Sequence, residues 1–178
     1  MGKHARTKHR GRTGTDRPTV GIRLNDDELA DLIDMATYYE RSMGIMRHVV
    51  RVTSSREMRQ RFRFIAEESR WLETFARAAH DERSEDGEIV FTARALVAFW
   101  GRALSSLQSK RSRRRMSPLK LEQRELLAEK LARSAEKLWL RNPELMAQEV
   151  AGRREPEAEW MWQRLDPSDS PDGAGITS

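Results

Sequence analysis

Residues 18–51 read PTVGIRLNDDELADLIDMATYYERSMGIMRHVVR, and expectations for the rest of the chain are built outward from them. Pro18 biases the residue before it toward extended backbone. Thr19 to Leu24 then alternate, with Val20, Ile22 and Leu24 on one face and Thr19, Gly21 and Arg23 on the other. That is the period of a half-buried strand. A lone strand leaves its backbone donors and acceptors unpaired. No second strand lies nearby in the sequence to close a hairpin, so pairing with a copy from another chain is expected. Asn25 ends the strand as an N-cap, and Glu28 follows three residues later as in a capping box. Asp26 and Asp27 place negative charge at the positive end of the helix that starts there. Capping accounts for this acidic trio without a metal ion. Leu29, Leu32, Ile33, Ala36 and Tyr39 fall on one helical face, and Gly44 supplies a turn near the helix end. Beyond it, Ile45, Val49, Val50 and Val52 fit a second helix. The run from His48 to Val52, followed by Thr53, Ser54 and Ser55, also fits a strand and a cap.

Charge is distributed unevenly. Residues 1–18 contain Lys3, Arg6, Lys8, Arg10, Arg12 and Arg17 against Asp16 alone, which equals the whole formal excess of +5 in the chain of 178 residues. The body is therefore balanced. An arm of this kind, with Gly2, Gly11 and Gly14 between its cations, is too poor in apolar residues to fold by itself. Its expected use is neutralisation of nucleic-acid phosphates with release of counterions. The absence of cysteine excludes disulfides, thiolate metal sites and cysteine nucleophiles, and it fits an intracellular, cytoplasmic location. The longest apolar run, Leu96 to Trp100, is far too short to span a membrane.

The remainder reads as helical. Ser54 or Ser55 caps a helix whose face is Met58, Phe62, Ile65, Leu72, Phe75, Ala76 and Ala79, with Ser69 as its one polar member. Arg56, Arg59, Arg61, Arg63 and Arg70 lie on the other side, with Glu57, Glu67 and Glu68 as partners one turn away. His80 to Gly87 form a polar loop. Ile89 to Phe91 are a short extended entry to a helix capped by Thr92 and faced by Leu96, Trp100, Ala103, Leu104 and Leu107. Lys110, Arg111, Arg113, Arg114 and Arg115 form a second basic patch, or a solvated linker between helices. Ser117 and Pro118 open a long helix carrying Leu127, Leu131, Ala135 and Leu138. Asn142-Pro143 stops it and opens a shorter helix with Leu145, Met146 and Val150. Trp160 and Trp162 sit in a last short helix, and the chain from Asp166 onward reads as a disordered tail.

Little here suggests an enzyme. His4 and His9 lie in the arm, while His48 and His80 stand apart, with no metal-spaced pair and no triad-like grouping. No phosphate-cradling glycine loop is present. His80, Asp81 and Glu82 form a charged cluster without an apolar pocket to tune it. No cofactor is expected.

The order of elements over residues 18–53, strand, capped helix, glycine turn and second helix, resembles the ribbon-helix-helix family of bacterial and phage repressors, plasmid partition factors and relaxosome accessory proteins. Val49-Val50-Arg51 is similar to the family's apolar-apolar-Arg step, whereas Ile45 stands where a capping Ser or Thr is common. The resemblance implies a mainly α protein whose short N-terminal strand pairs across a dimer and enters the DNA major groove. Val20, Ile22 and Leu24 would then form the dimer core, and Thr19, Gly21 and Arg23 would read bases, with Arg23 bridging guanine. The arm, Gly44 and Arg47 would contact the DNA backbone. Four regions are expected: a disordered basic arm over 1–17, the ribbon-helix-helix-like unit over 18–53, a helical region over 54–165 and a tail over 166–178. The expected partners are DNA, a second copy of the chain and a protein docking on the C-terminal helices, with no membrane partner. The function implied is a sequence-specific DNA-binding dimer of the repressor, partition or relaxosome type. The alternative is a helical adaptor or assembly protein with a basic tether for nucleic acid.

Overall fold

The computed structural model describes residues 18–37, 55–153 and 156–166; the side chains of Arg61, Phe62 and Arg111 lie outside this description. Gly44, Arg47, the second helix expected near residues 45–52, the arm and the tail beyond 166 all lie outside the described residues.

The strand expected from alternation is β1, Thr19–Arg23, and its apolar positions are buried while the intervening ones are exposed. A helix, α1, starts at residue 26 and is described as far as 37. Its start is fixed by a reciprocal pair of bonds. The Glu28 amide donates to Asn25 Oδ1 at 2.8 Å, and the Asn25 amide donates to the Glu28 carboxylate at 2.8 Å. Two amides that the helix itself leaves unbonded are satisfied in this way. Further starts are capped by hydroxyls, among them α2 (Arg56–Asp81) by Ser55, α3 (Ala93–Gln108) by Thr92, and α5 (Pro118–Arg141) by Ser117 with proline in its first turn. The short α4 (Lys110–Arg113) lies between α3 and α5, and α6 (Pro143–Ala151) and α7 (Glu157–Leu165) complete the fold.

One element changes the reading of all the others. Residues Glu88–Thr92 form a second strand, β2, antiparallel to β1, with Thr19 opposite Thr92, Gly21 opposite Val90 and Arg23 opposite Glu88. The expectation that β1 has no partner in its own chain is therefore corrected. Gly87, with φ of 77°, makes the turn into β2, and its carbonyl accepts from the Leu24 amide at 3.1 Å. That left-handed conformation is unstrained only for glycine. The apolar face of the pair, formed by Val20, Ile22, Ile89 and Phe91, packs into the chain's own core, as does Leu24. Val20, Ile22 and Leu24, expected as a dimer core, are buried without a second chain.

β2 runs directly into α3, the centre of the molecule. From Ala95 to Ala103 every residue of α3 is buried. A helix that is apolar all round needs neighbours all round, and α1, α2, α5, α6 and α7 supply them. Phe91 lies 5.2 Å from Phe75 and 6.2 Å from Phe99, ring centre to ring centre, which joins sheet, α2 and α3. Burying each such large apolar side chain contributes about 1.5–3 kcal/mol. Trp162 packs edge-on against Trp139 at 5.6 Å and fastens α7 to α5. One core thus holds residues from Val20 to Leu165, and the expected division at 53/54 does not partition it. Met58, placed on the apolar face of α2, is instead exposed near the helix start.

Candidate nucleic-acid interface

The outer face of the β1–β2 pair presents the three residues expected to read bases. Thr19, Gly21 and Arg23 are all exposed. However, the Glu88 carboxylate lies directly over Gly21, where an added Cβ would fall 1.8 Å from its Oε1. Arg23 donates to Asp86 at 3.0 Å, and the hydrogen bond from Ser84, joined by the Arg23 charge, holds the Asp86 carboxyl below its usual range against the opposing effect of desolvation. Arg83 is paired with Asp26 at 2.7 Å beside the same loop. This face is ion-paired and carries several carboxylates, a poor surface for a polyanion. His80 is exposed, and its Nδ1 lies 3.2 Å from the carboxylate of its neighbour Asp81.

Beneath the surface lies a feature that the sequence reading missed. Arg102, the sole charged residue between Ala95 and Leu107, is buried at 4% exposure. Its guanidinium donates to the Met35 carbonyl at 3.2 Å, to Ser69 Oγ at 2.9 Å and to the Glu68 carboxylate at 3.1 Å. Glu68 also receives Arg153, which in turn is paired with Glu157 at 2.8 Å. Gly101 leaves room for this array, since a Cβ there would stand 2.9 Å from Glu157 Oε2. Burial works to raise the Glu68 carboxyl, but the charges and hydrogen bonds of Arg153 and Arg102 outweigh it and leave it below its ordinary value of 4.5. Glu68, expected to pair one turn along its own helix, points inward instead. A second buried pair joins α5 to α1: Arg124 grips Asp31 through two bonds of 2.5 Å and donates to Ser106 Oγ at 3.0 Å. A lone arginine inside an apolar run is a legible signal, because a buried guanidinium must have partners.

The basic patch lies at the junction between α3 and α5. Ser109 Oγ accepts from the Ser112 amide at 3.2 Å and starts α4. The chain then turns through bonds from the Arg115 amide to the Ser112 carbonyl and from the Met116 amide to the Arg113 carbonyl, and Ser117 restarts the helix as α5. Lys110, Arg113, Arg114 and Arg115 are exposed on this tight turn. None of the four side chains makes an ion pair or hydrogen bond among the described residues. No acidic residue occurs in the sequence between Glu88 and Glu122. The turn is thus built from residues that repel one another and lack a compensating anion among the described residues.

Against this turn lies a cavity of about 240 Å³ lined by Asp34, Met35, Arg102, Ser106, Ser112, Arg115, Met116, Lys120 and Arg124. Lys120 donates to Asp34 at 2.6 Å across its mouth. The arm cations Lys3, Arg6, Lys8, Arg10, Arg12 and Arg17 lie outside the described residues, as does the side chain of Arg111. Among the described residues no group of three or more histidine or acidic side chains is placed to hold a metal ion, and no helix is long and apolar enough to cross a membrane.

No protein-family model, curated protein or solved structure matches this chain.

Proposed function

We propose that the protein binds DNA through the phosphate backbone, using the exposed turn Lys110–Arg115 as a rigid contact and the basic arm of residues 1–17 as a second one. The observation that carries this reading is that Lys110, Arg113, Arg114 and Arg115, clustered and exposed, have no partner among the described residues. Elsewhere many cations are compensated, as in Arg77 with Glu73 and Arg133 with Glu129. Those without a partner among the described residues, Arg56, Arg63, Lys137 and Arg141, are not gathered four within six residues as on this turn. A cluster of exposed like charges costs stability through self-repulsion and is retained where an external polyanion relieves it. The outer face of β1 and β2, with Glu88 over Gly21 and Asp86 on Arg23, is not part of this contact.

The test is the salt dependence of binding to random-sequence duplex. Changing Lys110, Arg113, Arg114 and Arg115 together to Gln is expected to lower the slope of log K against log salt by about 0.9 per lost phosphate contact, roughly 3.6 if all four engage. An unchanged slope would exclude the turn as a contact. Deleting residues 2–17 is expected to lower the slope further and independently.

A second reading, an assembly protein that uses nucleic acid only as a tether, has one observation in its favour. Leu119, Leu126 and Leu140 of α5 are exposed at 64%, 62% and 83%, spaced so that they share one side of the helix. Measured mass in solution separates the readings: a chain that stays monomeric at high concentration has no use for these leucines in self-assembly.

A further inference from the structure

We propose that the cavity between α1, α3, the basic turn and α5 is a binding site for a terminal phosphate, carried either by a free nucleotide or by the end of a nucleic-acid strand. Four of its nine lining residues are cations, Arg102, Arg115, Lys120 and Arg124, and one is a carboxylate, Asp34. The floor is fixed. Arg102 is held by Glu68, Ser69 and the Met35 carbonyl, and Arg124 by Asp31 and Ser106, so neither guanidinium moves to meet a ligand. Each is offset by its own carboxylate, Glu68 or Asp31, so the floor is rigid and close to neutral. The uncompensated charge at the cavity is that of Arg115, in a partly enclosed space where charge acts more strongly than in water.

The rim is available. Arg115 makes no ion pair among the described residues, and the Ser112 side chain makes no hydrogen bond among them, its amide alone being engaged by Ser109. Lys120 is held at the mouth by Asp34, on an ammonium that keeps two further donors. Ser106 is not a donor to spare, since its hydroxyl already donates to the Ala103 carbonyl at 2.8 Å. Three donors of different geometry, from α4, the turn and α5, thus line one cavity, whose sole carboxylate among the described lining residues, Asp34, is already engaged by Lys120. A terminal phosphate, with up to two charges and three free oxygens, uses all three. A neutral base or sugar does not. The volume of about 240 Å³ is below the usual range for whole cofactors and suits a phosphate with its sugar.

This deepens the nucleic-acid reading, because Arg115 belongs to both the turn and the pocket. The experiment keeps the two apart. Full-length protein is titrated calorimetrically with thymidine 5′-monophosphate and with thymidine, and by anisotropy with one single strand carrying either a 5′-phosphate or a 5′-hydroxyl. The expected result is binding of the monophosphate but not of thymidine, or a preference of about tenfold for the phosphorylated strand, abolished by Ser112→Ala and by Arg115→Gln. Neither side chain makes a hydrogen bond or ion pair among the described residues, so both variants are expected to fold, which thermal unfolding checks. Binding of the monophosphate without strand preference makes the free nucleotide the ligand; strand preference alone makes it the strand end. Rejection of the monophosphate together with equal affinity for both strands overturns the pocket. Failure of both strands and of random-sequence duplex to bind overturns the backbone reading instead, and the monophosphate titration then decides the pocket alone.

Discussion

Arg102 and Arg124 stand on the two helices that flank the turn Lys110–Arg115, yet the three places treat positive charge in opposite ways. The two helix arginines are buried and fully engaged, whereas the turn leaves Lys110, Arg113, Arg114 and Arg115 exposed and, among the described residues, without partners. A buried charge is tolerated only with its counter-charge and hydrogen bonds in place. An exposed charge needs none, so its sign is free to be selected for something outside the molecule. The contrast separates arginines that hold the fold from those open to a ligand, although the sequence writes them with the same letter.

The largest effect that would test this contrast is the loss of a buried partner. Arg102→Met leaves Glu68 with one cation fewer and the Met35 carbonyl without its donor, and it is expected to destabilise the protein by about 3–5 kcal/mol in urea unfolding. A loss below about 1 kcal/mol would show that the pair is dispensable.

Acid should act on the same array. Glu68 is held below 4.5 in the folded protein, so its pairing stabilises the fold above that value and is lost as pH falls through the lower, folded value. The urea midpoint is expected to fall steeply below pH 4.5 and more shallowly in Glu68→Gln, starting from a lower stability. Parallel pH profiles would assign the acid sensitivity to other groups. Asn25→Ala removes one half of the capping box and is expected to cost about 1 kcal/mol, measured as a shift in urea midpoint. The smallest effect belongs to the turn. Neutralising its four unpaired cations is expected to change stability by less than about 0.5 kcal/mol, or to raise it slightly. A large loss of stability there would mean that these side chains hold the fold after all.

Much of the architecture was legible because it is local. The reciprocal bonds of Asn25 and Glu28, the caps at Ser55, Thr92 and Ser117, and the buried faces of α5 and α6 all follow from residues within a turn or two of one another. The pairing of β1 with β2 was not legible, because the partner lies beyond all of α1 and α2 and its five residues are as brief as those of β1. Alternation indicates that a strand has a buried face but not which surface buries it, so Val20, Ile22 and Leu24 fit another chain's core and their own equally well. The pocket failed to show for a related reason: Asp34, Arg102, Ser112 and Lys120 come from four elements and share no spacing. The basic turn was visible as charge. Its lack of partners needed the fold.

The β1–β2 pair also bears on the order of events during synthesis. A chain made from its N-terminus presents Val20, Ile22 and Leu24 well before Ile89 and Phe91 exist to cover them. Contacts so distant in sequence close slowly, because the entropy of ordering the intervening chain is lost before the pairing returns anything. Ile22→Val is therefore expected to speed unfolding while leaving the folding rate nearly unchanged, as befits a strand that docks last. Until it docks, the nascent strand is adhesive, and Arg23 with the acids at residues 26–28 keeps its neighbourhood charged during the wait.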